Sequence, residues 1–157
     1  MIAADAAALA AALPPVGPLL GLDLGTKTIG VAVSDALRTV ATPLSVIRRR
    51  TFTADASALE AVIAGRSAAG IVVGLPLNMD GSEGPRAQSA RAFARNLDRR
   101  GAPPIAFWDE RLSTVAAERA LLEADASRRR RAAVVDAVAA GLILQGFLDR
   151  LRHLGAA

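Results

Sequence analysis

The chain has 157 residues, of which 52% are apolar, enough for one buried α/β core and too few for two. It contains no cysteine, which excludes disulfides, zinc-thiolate centres and a cysteine nucleophile; any metal site must use oxygen donors or the single histidine, His153. The formal charge of +4, carried by arginines with Lys27 as the only lysine, fits a polyanionic partner, although an arginine-rich composition alone would also produce it.

Residues 1–15 read as a disordered, alanine-rich extension, with Pro14 and Pro15 stopping any frayed helix over Ala6 to Ala12. A single domain is expected over residues 16–152, followed by a frayed tail at 153–157. Leu19 to Leu24, Thr28 to Ser34 and Val40 to Ile47 are apolar or β-branched runs with short connections and predict an antiparallel meander. Thr53 to Arg66 predicts a helix, with Leu59, Val62 and Ile63 at helical spacing. Ile71 to Leu75 predicts a buried strand, Asn78 to Pro85 a loop with an Asp80-Gly81 turn, and Gly84 to Arg100 a second helix. Ile105 to Trp108 predicts the last strand, Ser113 to Ala124 a helix capped by Ser113, and residues 132–152 the terminal helix. The order βββαβαβαα implies a mixed five-stranded sheet covered by helices, with the fourth and fifth strands parallel to the first.

Two apolar stretches do not read as membrane segments. Residues 6–22 are broken by prolines and lack a basic leader, and residues 132–148 carry Asp136. A soluble, cytoplasmic protein is expected.

Three carboxylates stand out by position. Asp23 closes the first strand, Glu110 follows the last, and Asp136 lies in an otherwise uncharged stretch. Ligands of open sheets sit at the carboxyl ends of parallel strands. If the terminal helix crosses that edge, the three acids form a cluster of hard oxygen donors suited to Mg²⁺, with Mn²⁺ as an alternative. Asp136 could instead sit in the first helical turn, where the helix dipole favours an acid. Asp109 competes with Glu110, since strand alternation lets only one face the cluster. Gly25 and Gly30 flank the turn after Asp23 and could admit a phosphate or simply shape a hairpin. Lys27 is placed to meet a phosphate as a point charge. The run Arg128 to Arg131 could clamp nucleic-acid backbone or be a solvated loop. Aromatic residues are scarce, which favours backbone recognition over base stacking.

Four segments carry a resemblance: Leu22-Asp-Leu-Gly-Thr-Lys-Thr-Ile-Gly-Val-Ala-Val-Ser34, Ile71-Val-Val-Gly-Leu-Pro-Leu-Asn-Met-Asp-Gly81, Asp109-Glu-Arg-Leu-Ser-Thr114 and Val135-Asp-Ala-Val-Ala-Ala140. Together they resemble the YqgF (RuvX-like) family of pre-16S rRNA nucleases, within the RNase H-like superfamily. The resemblance implies a three-layer fold of strand order 3-2-1-4-5 and an acidic triad at Asp23, Glu110 and Asp136, and so selects Glu110 over Asp109. It implies Mg²⁺-dependent phosphodiester hydrolysis in maturing the 5′ end of the 16S rRNA precursor. The family's likeness to Holliday-junction resolvases keeps branched DNA open as a substrate, and a non-catalytic RNA-binding assembly factor is a further alternative. Lys27, Arg111, Arg130 and Arg131 are the candidate substrate contacts. Relatives tend to carry lysines before Asp136, where this chain has arginines, so individual phosphate contacts there do not carry over. The Asp-Leu-Gly-Thr segment also resembles the first phosphate loop of the Hsp70, actin and sugar-kinase ATPases, but those need two lobes and this chain is too short for both.

Overall fold

The computed structural model describes residues 1–112 and 128–155, with 128–134 as backbone only. Five strands, β1 (Leu19–Leu24), β2 (Thr28–Ser34), β3 (Ala41–Arg48), β4 (Gly70–Leu75) and β5 (Ile105–Asp109), form one sheet in the order β3-β2-β1-β4-β5. The first three strands pair antiparallel, and β4 and β5 extend the sheet in parallel with β1. Four described helices complete the fold: α1 (Ala6–Ala12), α2 (Phe52–Arg66), α3 (Pro85–Arg99) and α4 (Arg128–His153). The expected helix over Ser113 to Ala124 lies outside the described residues.

Strand alternation sorts the apolar residues into two cores. Leu20, Leu22, Ile29, Val31, Ile71 and Val73 face one way, onto Leu59 of α2 and Phe93 and Leu97 of α3. Leu19, Ala32, Val72 and Ala106 face the other way, onto Ile143, Leu144, Phe147 and Leu151 of α4. The fold is therefore helix, sheet, helix in three layers. No described helix is long and apolar enough to cross a membrane.

Residues 1–15 differ from the expected disorder. Ile2 bridges Ile105 in parallel, Ala3 donates its N–H to the Ile105 carbonyl at 2.7 Å, and Ala3 and Leu9 are buried in the α4-side core. Seven alanine-rich residues are too few to hold a helix alone. Here α1 is held by packing and by Asp5, whose carboxylate caps it by accepting from Ala8 N–H at 2.8 Å. The segment also covers part of the outer edge of β5, a position that would otherwise present unpaired backbone.

The β2–β3 connection is closed by Asp35. Its carboxylate accepts from the Thr39 hydroxyl (2.6 Å) and from the N–H groups of Thr39 (2.8 Å) and Val40 (2.9 Å). These bonds, the Thr39 hydroxyl foremost, hold its pKa at about 2, below the ordinary 3.8. A depressed carboxylate pKa contributes stability above the unfolded value, and that contribution is lost as pH falls through the folded one. The stability gap between wild type and Asp35→Ala, measured by urea unfolding, is therefore expected to be level above roughly pH 5 and to close between pH 4 and 2. A gap independent of pH across that window would contradict the assignment.

Candidate active site

Asp23 is the fifth residue of β1 and is buried, with 3% of its surface exposed. Alternation with Leu19 and Gly21 turns it toward α4, whereas Leu20 and Leu22 face α2 and α3. Across β2 its partner is Gly30, and directly opposed residues point to the same face. A Cβ on Gly30 would overlap the carbonyl of Asp136. The backbone of α4 thus lies directly over Gly30, beside Asp23, and delivers Asp136 to this corner.

On the other side of Asp23 runs β4. Leu22 pairs with Val73, so one step further Asp23 and Gly74 stand side by side. A Cβ on Gly74 would lie 3.3 Å from the carboxyl carbon of Glu110 and 2.5 Å from Cδ1 of Ile143. Glu110 occupies the one-turn 3₁₀ helix Glu110–Leu112 that follows β5. The Glu110 carboxyl thus lies over β4 and the Asp136 backbone over β2, the two strands that flank Asp23 on β1. Asp23 and Glu110 are both engaged in polar or electrostatic contacts.

Asp109 is used differently. It pairs with Leu75, whose side chain belongs to the core under α2 and α3. Its carboxylate accepts from Arg111 through Nε (3.1 and 3.2 Å) and Nη2 (2.7 Å), and this guanidinium holds the Asp109 pKa down. Arg111 also donates to the Met79 carbonyl at 3.2 Å, tying the 3₁₀ turn to the loop after β4. Arg111, a candidate substrate contact, makes its described bonds to Asp109 and Met79.

Asp136 lies more than two turns into α4, which begins at Arg128 rather than near residue 132. A dipole effect confined to the first turn does not account for it there. Its carboxylate accepts a hydrogen bond from the Thr28 hydroxyl. Thr28 starts β2, after a turn closed by Gly25 N–H donating to the Thr28 carbonyl at 2.9 Å. Lys27 is exposed on that turn, and its carbonyl accepts from Arg49 N–H at 2.8 Å. The side chains of Arg130 and Arg131 lie outside the described residues.

Three residues that shape this corner of the sheet were not legible as such. Thr28 read only as a strand residue. Gly30 read as a turn glycine, but it sits inside β2, and Gly74 read as part of a buried strand. The available signal was glycine within a strand, which marks close approach of another backbone or side chain.

The three acids supply hard oxygen donors and no sulfur, which suits Mg²⁺ or Mn²⁺ in kind. The glycine cradles at Gly30 and Gly74 are what allow Asp136 and Glu110 so near Asp23. Among the described residues, no three His, Asp or Glu side chains are arranged to hold a metal ion as they stand. The topology thus brings the three acids to one corner of the sheet without closing their carboxylates on one point.

A mixed sheet of order β3-β2-β1-β4-β5 with helices on both faces is the RNase H-like fold, which solved RuvC structures share. Solved structures described as "T. thermophilus RuvC in complex with Holliday junction substrate" and "Thermus thermophilus RuvC structure" superpose with TM-scores of 0.54 and 0.51. They share 13% and 15% identity, cover 87% and 89% of this chain, and are themselves covered over 96% and 98%; at such identity they establish the fold alone. The chain belongs to the RuvX family: residues 17–150 match the family model described as "RuvX: Holliday junction resolvase". Relatives named "Putative pre-16S rRNA nuclease" include those of Paracoccus denitrificans (69% identical, covering 99% of this chain and 98% of theirs) and Rhodobacter capsulatus (71%, covering 94% and 93%). The Ruegeria pomeroyi relative of the same name is 67% identical, over 98% of this chain and all of its own.

Proposed function

We propose that this protein is a divalent-metal-dependent nuclease that hydrolyses phosphodiester bonds in the precursor of 16S rRNA, at its 5′ end. The observation that carries the reading is the placing of Glu110 and Asp136 on either side of Asp23, on one face and at one end of the sheet. The names of the relatives support RNA as the substrate, and family membership supports a nuclease.

Asp23, Glu110 and Asp136 would hold one or two Mg²⁺ or Mn²⁺ ions. When bound, such an ion lowers the pKa of water and neutralises charge developing on the phosphoryl group. Asp23, buried at the strand end, fixes the position around which the site is built. Thr28 holds the Asp136 carboxylate toward the β1–β2 turn. Lys27 projects from that turn as a point charge for a substrate phosphate, adding electrostatic stabilisation. Arg111, braced by Asp109, and the Arg130–Arg131 pair at the start of α4 would contact backbone phosphates outside the bond being cut. Cytoplasmic action follows from this substrate.

The test is incubation of purified protein with an rRNA precursor fragment and with a four-way DNA junction, each with Mg²⁺, with Mn²⁺ or with EDTA. Cleavage of the RNA with either metal and not with EDTA is expected. Cleavage of the junction alone would reassign the substrate to branched DNA. Binding without cleavage of either would favour an assembly factor.

A further inference from the structure

The sheet face opposite the acids carries a second feature. A cleft of about 140 Å³ opens between the β1–β2 turn and the start of α3. Gly25, Thr26, Arg49, Arg86 and Ser89 line it. Its wall begins at Leu24, the residue after Asp23.

Arg49 is held from three sides. Its Nη1 donates to the Gly25 carbonyl at 2.6 Å, its Nε lies 3.8 Å from the Asp55 carboxylate, and its guanidinium sits 5.6 Å from the centre of the Phe93 ring. Asp55 is itself buried and accepts from Arg50 N–H at 2.9 Å. A guanidinium fixed in this way loses little further freedom on binding an anion. Arg86 is exposed on α3, and its Nη2 lies 3.4 Å from the Leu24 carbonyl. Both arginines thus reach the main chain of the two residues that follow Asp23. The charged side chains that line the cleft are the two guanidiniums, and Asp55 lies beside Arg49 alone, so the cleft keeps a positive excess. It has no open aromatic face for a base, since Arg49 lies over Phe93.

We propose that this cleft seats one backbone phosphate of the nucleic-acid strand being cut, gripped by Arg49 and Arg86. The proposal rests on the nuclease reading above and adds a binding site to it. A strand with its scissile phosphate at Asp23 would cross the Gly25–Lys27 turn and set a neighbouring phosphate between the two arginines. Forked donors suit phosphate oxygens, and the Ser89 hydroxyl adds a neutral donor.

The experiment is fluorescence anisotropy with a labelled single-stranded fragment of the rRNA precursor, in EDTA, across a range of salt concentrations. Wild type is compared with Arg86→Gln, Arg49→Gln and the double variant. Arg99→Gln, at the far end of α3 and about 20 Å away along the helix, makes the same change in net charge. Each single cleft variant should reduce the slope of log K against log salt by roughly 0.7, the value for one single-strand phosphate. Because both arginines grip the same phosphate, the double variant should lose about one phosphate's worth of slope rather than two. Arg99→Gln should leave the slope unchanged. Tight binding by wild type, with Arg86→Gln and Arg49→Gln indistinguishable from it or matched by Arg99→Gln, would overturn the cleft and leave the nuclease reading standing. Failure of wild type to bind RNA or a DNA junction would overturn both.

Discussion

Asp23→Asn is expected to abolish metal-dependent cleavage while leaving the fold in place. Asparagine keeps the shape of the side chain but removes the charge that binds a hard cation. If the ion contributes several kcal/mol to the transition state, the rate should fall by about a thousandfold or more. Asp136→Asn should behave alike. Thr28 can still donate to the amide oxygen, so a folding defect is not the expected cause. Near-wild-type thermal unfolding together with lost cleavage is the predicted pair of results. Unchanged Mg²⁺-dependent cleavage by either variant, in preparations free of other nucleases, would remove that acid from the mechanism.

Gly30→Ala should produce the second large effect, through backbone rather than charge. The added Cβ would meet the Asp136 carbonyl, and main chain at that point cannot turn aside as a flexible side chain would. Overpacking of this kind costs about 3 kcal/mol. For a chain of this length that lowers Tm by roughly 6–12 °C. It also lifts α4, and Asp136 with it, away from Asp23, so cleavage should fall further than stability explains. Gly65→Ala is the matched control: it lies in α2 with open space where the Cβ would go, and should stabilise by about 0.5–1 kcal/mol. Gly30→Ala with wild-type Tm and cleavage would mean that α4 is not seated on β2 as described.

Much of this architecture was legible in the chain. The apolar run from Leu19 to Leu24 predicted the strand that carries Asp23, and the side to which Asp23 turns became visible only with the two cores in place. The Asp80-Gly81 turn is present, with Gly81 at φ 89° and its N–H donating to the Asn78 carbonyl at 2.9 Å. What could not be read were features that depend on distant partners. Residues 1–15 look unstructured because the Asp5 cap alone cannot hold so short a helix; the rest of their order comes from β5 and α4. The start of α4 at Arg128 moved Asp136 out of the first turn and removed the dipole explanation. The roles of Gly30 and Gly74 depend on which backbone lies above them, which composition does not reveal. The partnership of Arg111 with Asp109 likewise follows from the 3₁₀ turn after β5, where neighbouring acids leave on opposite faces.

Manganese soaked into crystals of the protein and located by its anomalous scattering is the most direct check on the shared carboxylate site. A peak within coordinating distance of Asp23, Glu110 and Asp136 together is the predicted result. A saturated soak with no density there, or with manganese bound only elsewhere, would contradict it.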